Sequence, residues 1–404
     1  MKEQLQRKKG AMRVGIFGGT FNPPHIGHVL SALTASNQLE LDILLIVPSG
    51  VPPHKPLPED TPSADIRLFM TMMAFWNVDR TIVSDIEVKN PLPSYTVNTV
   101  ATIRQMFPAA EIFLLLGTDM FLTLETWKDY EKLLSMVTPA IFFRSSDDRE
   151  KIKTYSSIIR ERYGVASRTI INNVVQISSS ELREMLTKRE GVRYITDTNY
   201  SYIIKNKLYN AKPNWDWLRE RAYSMLNPER IPHVAGCEKA ALLLAERWGA
   251  DLDDAREAAI LHDITKRFGT YEHIRILEDR GISPGELSNS EEKLLHPKTG
   301  AILAKDIFGV SQAVVDAIMW HTTGRAGMSL LEKVIYVADY IEETRDIPGV
   351  DSLRELACSD LNEAVKLGLE MTIEDIRSRG ITPNNITIEA LSDIILRLYK
   401  GVKV

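Results

Sequence analysis

Two histidines near the start of the chain have the spacing of a phosphate-binding pair. In the segment RVGIFGGTFNPPHIGH a predicted strand ends at Phe17, a glycine-rich loop covers residues 18–20, and a helix begins near His25. His25 and His28 are three residues apart, so both lie on one face of the first helical turn. Backbone N–H groups at a helix N-terminus favour anions, and two imidazoles there can donate hydrogen bonds to phosphate oxygens. The segment therefore predicts a phosphate site where the first strand ends.

A second element with phosphate-binding character is the segment ISSSELR. Its serine run, Ser178, Ser179 and Ser180, stands where a helix is predicted to start. Serines there can cap the helix or offer hydroxyl and N–H groups to phosphates. Arg183 follows and can neutralise the β- and γ-phosphates of a nucleotide. Alone, the run is typical of a helix cap; paired with the two histidines, it indicates a nucleotide site.

Several common nucleotide motifs do not fit these segments. The loop lacks the lysine of a P-loop and is not GxGxxG, which disfavours P-loop chemistry and hydride transfer. The letters HIGH also begin the nucleotide site of class I aminoacyl-tRNA synthetases. Those enzymes also need a lysine-bearing KMSKS loop, and ISSSELR supplies no lysine. That absence, with the lack of a basic domain, argues against an RNA-handling enzyme.

The second half of the chain carries histidines and aspartates in an order that could hold metal ions. Asp339 follows YVA on an apolar helix, where a buried carboxylate is costly unless it is paired or binds a metal. The adjacent His262 and Asp263 point about 100° apart on a helix. Asp263 could therefore bridge two metals while His262 binds one. The full set of predicted ligands is His233, His262, Asp263, His296, His321 and Asp339.

This ligand set indicates hydrolytic chemistry. Histidines and carboxylates on facing helices are how a helical bundle builds a metal site. Two metal ions about 3.5–4 Å apart suit hydrolysis of a phosphoanhydride, because they activate water and clamp the phosphate. Imidazole and carboxylate ligands without a thiolate fit iron or manganese. His273 falls outside the pattern and is expected at the surface.

The composition limits the class of protein that must position these residues. The chain has 404 residues, of which 44% are hydrophobic and 25% are charged. Because a typical domain has roughly 100–200 residues, this length predicts two domains. A net charge of −5 provides no polybasic surface for nucleic acid or a membrane. Cys237 and Cys358 lie far apart, which predicts a reducing, cytoplasmic location. No apolar run approaches the roughly 20 residues of a membrane helix.

The first half alternates predicted strands and helices. Strands are predicted at residues 13–17, 43–47, 81–86, 111–116, 140–143 and 174–177, and helices at 26–39, 66–76, 97–106 and 127–136. Such alternation implies an α/β fold with a Rossmann-like parallel sheet that is covered on both faces. Ligands in such sheets bind beyond the carboxyl ends of the strands.

After residue 208 the pattern becomes almost wholly helical. Helices are predicted at residues 216–225, 234–248, 254–262, 297–307, 311–321, 330–343, 360–379 and 387–400, which indicates a separate all-α domain. We therefore predict an extension (1–11), an α/β domain (12–210), a linker (211–216) and a helical domain (217–404).

On its HxGH and serine motifs, the first half resembles the HxGH nucleotidyltransferase superfamily. The resemblance implies transfer of a nucleoside monophosphate to a phosphate acceptor, with pyrophosphate leaving and Mg²⁺ accompanying the ATP. It implies that His28 stabilises the transferred phosphate and that His25 orients the triphosphate. The implied catalytic set is His25, His28 and Arg183, and the implied nucleotide-binding set includes Gly18, Gly19, Thr20, Phe21, Asn22, Ser178, Ser179 and Ser180.

Three further segments narrow the chemical class of the acceptor substrate. VPSGVPPHKP follows the second strand, PSYTVNT opens a helix, and LLLGTDMFLTLETW ends a strand and carries an indole. They offer a cation, helix-end N–H groups and a stacking ring, which an acceptor with an aromatic ring, a carboxylate and a phosphate would need. Together they resemble bacterial nicotinate-nucleotide adenylyltransferase over residues 12–209, which implies ATP and nicotinate mononucleotide as substrates. The resemblance implies contacts from Lys55, Tyr95, Thr96, Gly117, Asp119, Trp127 and Arg144.

Pantetheine-phosphate adenylyltransferase is a weaker alternative. It shares an HxGH-type motif and a serine run, but its first motif usually has threonine where His25 stands. It also lacks the VPPHKP and SYT blocks that this chain carries.

Residues 231–345 resemble the HD phosphohydrolase superfamily. With LHDITK and VADYIEETR, they are most similar to the bacterial domain that splits diadenosine tetraphosphate into two ADP. The resemblance implies iron dependence, catalytic roles for Asp263 and Lys266, and phosphate contacts from Lys266, Thr322 and Arg345. Two alternatives stay open: hydrolysis of a different nucleotide, or a non-catalytic module that senses nucleotides. The expected ligands of this half are dinucleoside polyphosphates. No nucleic acid or membrane partner is expected, and the sequence is compatible with a homo-oligomer.

Overall fold

The chain folds as two compact units. The first comprises residues 1–203 and 207–212, and the second comprises residues 204–206 and 213–404. The computed structural model describes residues 11–51, 57–90, 92–143, 146–171, 175, 177–283 and 294–399. Within the predicted linker, a helix already begins at Trp215, with the Asn214 side chain accepting from the main-chain N–H groups of Asp216 and Trp217.

The first unit is built on a six-stranded parallel sheet. Its strands are β1 (Arg13–Gly19), β2 (Ile43–Pro48), β3 (Thr81–Val83), β4 (Glu111–Gly117), β5 (Thr138–Phe143) and β6 (Arg168–Ile171). The strand order is β3-β2-β1-β4-β5-β6, and each neighbouring pair is parallel. The predicted α/β fold with a parallel sheet is confirmed.

The central strands are apolar because both faces of the sheet are buried. In β4, Ile112, Leu114 and Leu116 pack into one hydrophobic cluster, whereas Phe113 and Leu115 pack into another. Alternate side chains of a strand point to opposite faces, so these clusters lie on the two sides of the sheet. Each such side chain contributes roughly 1.5–3 kcal/mol when buried. This burial holds the strand ends, and therefore the loops that follow them, in fixed positions.

Eight helices accompany the sheet in the described part of the first unit. They are α1 (Ile26–Gln38), α2 (Ala64–Phe75), α3 (Thr96–Met106), α4 (Thr118–Leu122), α5 (Tyr130–Leu134), α6 (Ser146–Tyr163), α7 (Ser179–Thr187) and α8 (Asp197–Lys205). The strand order reverses between β1 and β4, which lie side by side. A reversal of this kind opens a crevice at the carboxyl ends of the two strands. The glycine-rich loop and Gly117 lie at those ends.

The sixth strand lies earlier in the chain than predicted. We expected it at residues 174–177, but β6 covers Arg168–Ile171. Of the predicted residues the structure describes only 175 and 177, and neither is in a strand. β6 is an edge strand in which Ile170 alone is buried, so its sequence RTII lacks the apolar run that marks the central strands.

The second unit is helical throughout its described residues, and the predicted all-α domain is confirmed. Its helices are Trp215–Ser224, Ile231–Trp248, Leu252–Leu261, Thr270–Glu278, Leu295–Phe308, Gln312–Trp320, Leu330–Ile341, Val350–Ser359, Leu361–Ser378 and Asn385–Tyr399. The sequence did not predict Thr270–Glu278 or Val350–Ser359, which are short and rich in charged residues. No helix in the described ranges is both long enough and apolar enough to cross a bilayer.

Candidate active sites

The two histidines of the HxGH motif lie together at the start of α1. His25 precedes the helix with extended backbone and is buried. The ring centroids of His25 and His28 are 3.6 Å apart, with an interplanar angle of 32°. The main-chain N–H of His25 donates to Nδ1 of His28 at 3.2 Å. The spacing thus brings both imidazoles to one face of the first helical turn, beyond the end of β1.

Gly27 explains the third letter of the motif. A β-carbon at this position would lie 3.0 Å from Nδ1 of His25 and 3.2 Å from the carbonyl oxygen of Val175. A side chain here would push the imidazole or the neighbouring main chain aside. The glycine therefore permits the first imidazole to lie against the helix.

The loop between β1 and α1 is largely buried. Phe21 has a left-handed backbone (φ 48°) and a buried ring that contacts the His28 ring at a centroid distance of 5.0 Å. A β-carbon on Gly19 would lie 3.2 Å from the Phe21 ring. Gly18 and Gly19 pair with the end of β2, and Thr20 follows them. The Phe21 side chain therefore packs against His28 and does not face solvent.

The helix of the serine motif docks onto this loop. Ser178 caps α7, because its hydroxyl accepts from the main-chain N–H of Glu181 at 3.1 Å. The Ser179 hydroxyl donates to the carbonyl oxygen of Pro23 at 3.0 Å. Nη1 of Arg183 donates to the carbonyl oxygen of Asn22 at 2.7 Å. The structure thus brings the serine–arginine helix to the histidine loop, although about 150 residues separate the two motifs.

Asn22 connects the loop to two other parts of the unit. Its Nδ2 donates to the Thr61 hydroxyl at 3.1 Å, and its Oδ1 accepts from the Tyr209 hydroxyl at 2.8 Å. Burial raises the pKa of Tyr209, so this hydroxyl stays a donor. The Asn22 side chain is thereby committed to structural hydrogen bonds. Tyr209 was not predicted as part of the site, because the residues around it in the sequence give no signal for a contact with Asn22.

Arg67 of α2 was also not predicted, and it is only 1% exposed. Its guanidinium donates to the carbonyl oxygens of Thr20 at 2.8 Å, Gly50 at 3.0 Å and Pro62 at 3.3 Å. An arginine inside the apolar pattern IRLFMTMMAF was the available signal.

The end of β4 borders the same crevice. Gly117 precedes α4, and a β-carbon there would have no neighbour within 4 Å. The Thr118 hydroxyl donates to the carbonyl oxygen of Phe142 at 3.1 Å, which fixes the start of the helix. Asp119 is exposed in the first turn. The open side of Gly117 leaves room for a ligand beside β1.

The predicted acceptor residues lie at two other loop ends of this unit. Tyr95 precedes α3, whose first residue is Thr96. Trp127 is half-buried and packs against the same hydrophobic cluster as Tyr95. Nζ of Lys128 lies 4.3 Å from the centroid of the Tyr95 ring, a cation–π contact that was not predicted. The predicted contacts of Lys55 and Arg144 lie outside the described residues.

In the second unit, Asp263 is the centre of the predicted metal cluster. It is fully buried. Its Oδ2 lies 3.5 Å from Nε2 of His262 and 3.9 Å from Nε2 of His233. Its Oδ1 lies 3.3 Å from Nε2 of His296 and 3.6 Å from Nε2 of His321. Burial alone would raise the pKa of Asp263, but the close approach of the His262, His296 and His321 imidazoles holds it well below its ordinary range.

Asp339 and Glu342 hold His233 from two sides. Oδ1 of Asp339 lies 3.1 Å from Nε2 of His233, and Oε1 of Glu342 lies 3.0 Å from its Nδ1. Glu342 is 1% exposed and also accepts from the main-chain N–H and the hydroxyl of Thr344. A carboxylate on the far nitrogen of a metal-ligating imidazole fixes its tautomer and orientation. Glu342 was not predicted, although it lies in the segment YIEETR that follows Asp339 directly.

Main-chain carbonyls orient two more of the imidazoles. Nδ1 of His262 lies 2.7 Å from the carbonyl oxygen of Ala259, and Nδ1 of His321 lies 2.7 Å from that of Ile318. Donation through Nδ1 leaves Nε2 as the acceptor nitrogen that faces the cluster. Among the described residues, Nε2 of His262 and Oδ1 of Asp263 are buried without a hydrogen-bond partner. Such atoms fit metal ligation.

His296 completes the set next to Lys266. Its Nε2 lies 3.3 Å from Nε2 of His321 and 2.9 Å from Nζ of Lys266. Burial lowers the pKa of His296 to about 4, so the ring is neutral, as a metal ligand must be. Nζ of Lys266 lies 3.7 Å from Oδ1 of Asp263, and partial burial lowers its pKa.

The donor set fits one or two metal ions. The ligand atoms of His233, His262 and Asp339 lie within 4.8 Å of one another, as do those of His262, Asp263 and His321. His296 is in neither group and reaches the cluster through Asp263 and His321. Cys237 is buried, and burial and the nearby carboxylates raise the pKa of its thiol well above the usual value, which disfavours a thiolate ligand.

A cavity of ≈ 590 Å³ opens beside this cluster. Its wall includes the three residues predicted to contact phosphate, Lys266, Thr322 and Arg345. It also includes Arg230, which the sequence analysis missed and whose Nε donates to Oδ2 of Asp263 at 2.7 Å. Nη2 of Arg345 donates to Oδ1 of Asp339 at 2.6 Å. Cations therefore face the cavity while remaining bonded to the carboxylates behind them.

The expectation that His273 lies at the surface is wrong. His273 is 5% exposed, and its Nδ1 lies 2.8 Å from the Thr299 hydroxyl. Thr299 in turn donates to the Thr265 hydroxyl at 3.0 Å, and Thr265 donates to the carbonyl oxygen of His296 at 2.8 Å. His273 faces inward from a helix that the sequence did not predict, and it supports the main chain behind His296.

Comparison with known proteins places each unit in a family. The cytidylyltransferase-like family model matches residues 16–185, and the HD domain model matches residues 230–344. A Pseudomonas syringae pv. tomato protein named probable nicotinate-nucleotide adenylyltransferase is 34% identical over 216 residues, 50% of this chain and 96% of that protein. The symmetrical bis(5'-nucleosyl)-tetraphosphatase of Bacillus subtilis is 44% identical over 149 residues, 37% of this chain and 80% of that protein.

A crystal structure of a Clostridium acetobutylicum protein, described as a predicted HD superfamily hydrolase involved in NAD metabolism, is also similar. It is 37% identical, covers 45% of this chain and 97% of its own, and has a TM-score of 0.43. On the identities and coverage of the two curated relatives, this chain belongs to the nicotinate-nucleotide adenylyltransferase family in its first unit and to the HD-domain family of symmetrical bis(5'-nucleosyl)-tetraphosphatases in its second.

Proposed function

We propose that the first unit transfers AMP from ATP to nicotinate mononucleotide, giving deamido-NAD and pyrophosphate. The observation that carries the proposal is the stacked pair His25 and His28 at the end of a glycine-rich strand, with Arg183 docked onto the same loop. The two imidazoles and the guanidinium can donate hydrogen bonds beside the exposed main chain of Gly18, which suits a polyphosphate. Membership of the adenylyltransferase family supports the choice of acceptor.

In this reaction the acceptor phosphate oxygen bonds to the α-phosphorus of ATP, and the bond from that phosphorus to the β-phosphate oxygen breaks. The chain must then stabilise charge at the α-phosphate and on leaving pyrophosphate. His28 donates to the transferred phosphate, and His25 orients the triphosphate. Arg183 exchanges its bond to Asn22 for the β- and γ-phosphates. Mg²⁺ with the ATP would neutralise further phosphate charge.

The acceptor is held at the ends of α3 and β4. Tyr95, Thr96 and Trp127 form the nicotinate pocket, with the indole beside the pyridine ring. Gly117 and Asp119 contact the nucleotides at the β4 end. Lys55 approaches a phosphate, and Arg144 contacts a nucleotide. The nucleotide-binding roles of Gly18, Gly19 and Thr20 and of the serine run belong to the same proposal.

The test of the transferase is product analysis with the full chain. With Mg-ATP and nicotinate mononucleotide we expect deamido-NAD and an equal amount of pyrophosphate. Replacing the acceptor by 4′-phosphopantetheine tests the alternative family and should give no adenylylated product. Absence of deamido-NAD from a folded preparation would overturn the proposal.

For the second unit, we propose a metal-dependent phosphohydrolase that splits dinucleoside polyphosphates, with diadenosine tetraphosphate giving two ADP. The observation that carries this proposal is the convergence of four imidazoles on the buried carboxylate of Asp263 beside a cavity. The 44% identity to the Bacillus subtilis tetraphosphatase supports the substrate.

The residues that would hold metal are His233, His262, Asp263, His296, His321 and Asp339. Two ions, iron with manganese as the alternative, would activate water and withdraw charge from a phosphate when bound. Lys266, Thr322 and Arg345 hold the phosphate chain at the cavity wall. One water is consumed, the central phosphoanhydride bond breaks, and each product keeps two phosphates.

Metal-loaded full chain incubated with diadenosine tetraphosphate tests this activity. ADP as the sole nucleotide product supports it. ATP with AMP, or release from another nucleotide alone, would indicate a different nucleotide phosphohydrolase. Tight binding without turnover would indicate the sensing module. Two cysteines without a disulfide in the described chain accord with the cytoplasmic location that we propose.

A further inference from the structure

Arg67 is a buried cation without an acidic partner among the described residues. Its guanidinium is bonded to three carbonyl oxygens, those of Thr20, Gly50 and Pro62. Arg219, by contrast, is a half-buried arginine that pairs with a carboxylate, that of Glu238 at 2.7 Å. Burying a charge that is held by dipoles alone is costly. Consistent with that cost, burial lowers the pKa of Arg67.

The two closest carbonyls belong to loops on neighbouring strands. Thr20 follows β1 and Gly50 follows β2, and these strands pair in register up to Gly19 and Pro48. The main-chain N–H of Ser49 donates to the carbonyl oxygen of Gly19 at 2.9 Å. The first loop leads to the HxGH histidines, and the second leads into the VPPHKP segment. Arg67 therefore connects the two loops through their main-chain carbonyls.

The direction of these bonds also orients donors. In a trans peptide the C=O and N–H groups point in opposite directions. The carbonyls of Thr20 and Gly50 point at Arg67, so the N–H groups of Phe21 and Val51 point away from it. A hydrogen bond on the carbonyl polarises the same peptide and strengthens its N–H as a donor. Gly50 cannot be replaced freely, since a β-carbon there would lie 2.2 Å from the carbonyl oxygen of Glu87.

We propose that Arg67 is a positioning residue of the transferase site, which locks the loops after β1 and β2 together and whose charge is offset by the phosphates of the bound substrates. The inference rests on the proposed transferase function of the first unit. It predicts that Arg67 matters to substrate binding as well as to stability.

Arg104 provides a matched control. It also binds two main-chain carbonyls, those of Ala110 and Met136. Ala110 precedes β4 and Met136 precedes β5, so Arg104 lies at the amino end of the strands, opposite the candidate site. Removing either guanidinium should destabilise the first unit in a similar way. Only the removal of Arg67 should alter the handling of phosphates.

The experiment compares Arg67→Met, Arg67→Lys and Arg104→Met in the full chain. For Arg67→Met we expect KM for ATP and for nicotinate mononucleotide to rise by about tenfold or more, since bonds made by a charged group are lost at the loops. Arg67→Lys keeps the charge but not the contacts to all three carbonyls, so its KM values should lie between those of the wild type and of Arg67→Met. Arg104→Met should lower Tm while leaving both KM values within about twofold.

A second readout keeps the test independent of activity. Pyrophosphate raises the Tm of a chain that binds it, and we expect this rise to shrink in both Arg67 variants but not in Arg104→Met. Wild-type KM values and an undiminished Tm rise in the Arg67 variants would overturn the inference. Should the wild-type chain form no deamido-NAD, the proposed function fails while the pyrophosphate comparison still decides the role of Arg67. If Arg67→Met does not fold, Arg67→Lys decides.

Discussion

The candidate site on the parallel sheet and the cluster in the helical unit differ in which parts of the chain build them. On the sheet, loops supply main chain and a few cationic side chains, and Arg67 and Arg183 are bonded to carbonyl oxygens. In the helical unit, buried side chains converge on one carboxylate. The first arrangement suits an anionic substrate that brings its own Mg²⁺. The second suits metal ions that the protein retains.

The two sites depend on different kinds of contact. A loop-built site depends on contacts between distant segments, such as the Asn22 contacts to Thr61, Tyr209 and Arg183. A side-chain cluster depends on each ligand, because removing one leaves buried neighbours without a partner. Substitutions should therefore affect one activity at a time, and their sizes should follow the role of the side chain removed.

The largest effect is expected for Asp263→Ala. All four imidazoles of the cluster lie within 3.9 Å of this carboxylate. We expect hydrolysis of diadenosine tetraphosphate to fall below detection and bound metal to be lost, measured by product analysis and elemental analysis. Deamido-NAD formation should stay within about twofold of wild type, because the sites lie in different units.

Asp279→Ala is the control for that variant, since Asp279 is an exposed residue of the same unit. It should retain metal and hydrolysis. Loss of both activities in Asp263→Ala would contradict the independence of the sites.

His28→Ala should give the next largest effect, on the other activity. Removing a donor to the transferred phosphate typically costs about 10²–10³-fold in kcat. Steady-state kinetics of deamido-NAD formation would measure the loss, with hydrolysis by the same preparation as the internal reference. If the variant keeps most of its transferase activity, the role given to the stacked histidines is wrong.

Glu342→Gln should have a smaller effect that metal can reverse. The substitution removes the charge that Nδ1 of His233 faces at 3.0 Å. Loss of such outer hydrogen bonding weakens metal binding by about 10–100-fold. Metal titration of hydrolysis should show this shift, with near wild-type activity at saturation. Glu343→Gln, at an exposed neighbour paired with Lys239, should show no shift.

The smallest effect is expected for Ser178→Ala. The hydroxyl caps α7, and loss of a cap costs about 0.5–2 kcal/mol. We expect a lower Tm and a modest rise in KM for ATP, because the proposed function also gives the serine run a nucleotide-binding role. A wild-type Tm would contradict the capping role, and a wild-type KM would contradict the nucleotide-binding role.

The sequence predicted what local pattern encodes. Strands such as β4 are apolar on both faces, so their type and approximate bounds could be read directly. HxGH, the serine run and the six predicted metal ligands, four histidines and two aspartates, are local signals that identify residues and their families. The edge strand β6 and the charged helix α6 lack such patterns, because little of their surface needs to be apolar.

Contacts between distant segments could not be predicted. Tyr209 reaches Asn22 across 187 positions, and Arg67 reaches Thr20 across 47. Neither residue lies in a motif. His273 was expected at the surface because it falls outside the histidine–aspartate pattern, but it lies on the buried face of a helix, Thr270–Glu278, that was not predicted. In each case tertiary packing decides the role of the side chain, and a single sequence does not contain that information locally.

Selective metal removal tests whether one chain carries two sites that work independently of each other. The full chain is stripped with a chelator, returned to Mg²⁺ alone, and assayed for both products. We predict full deamido-NAD formation and no ADP from diadenosine tetraphosphate, with hydrolysis restored by Fe²⁺ or Mn²⁺. Hydrolysis at the original rate in the stripped chain, or loss and return of both activities together, would contradict the account.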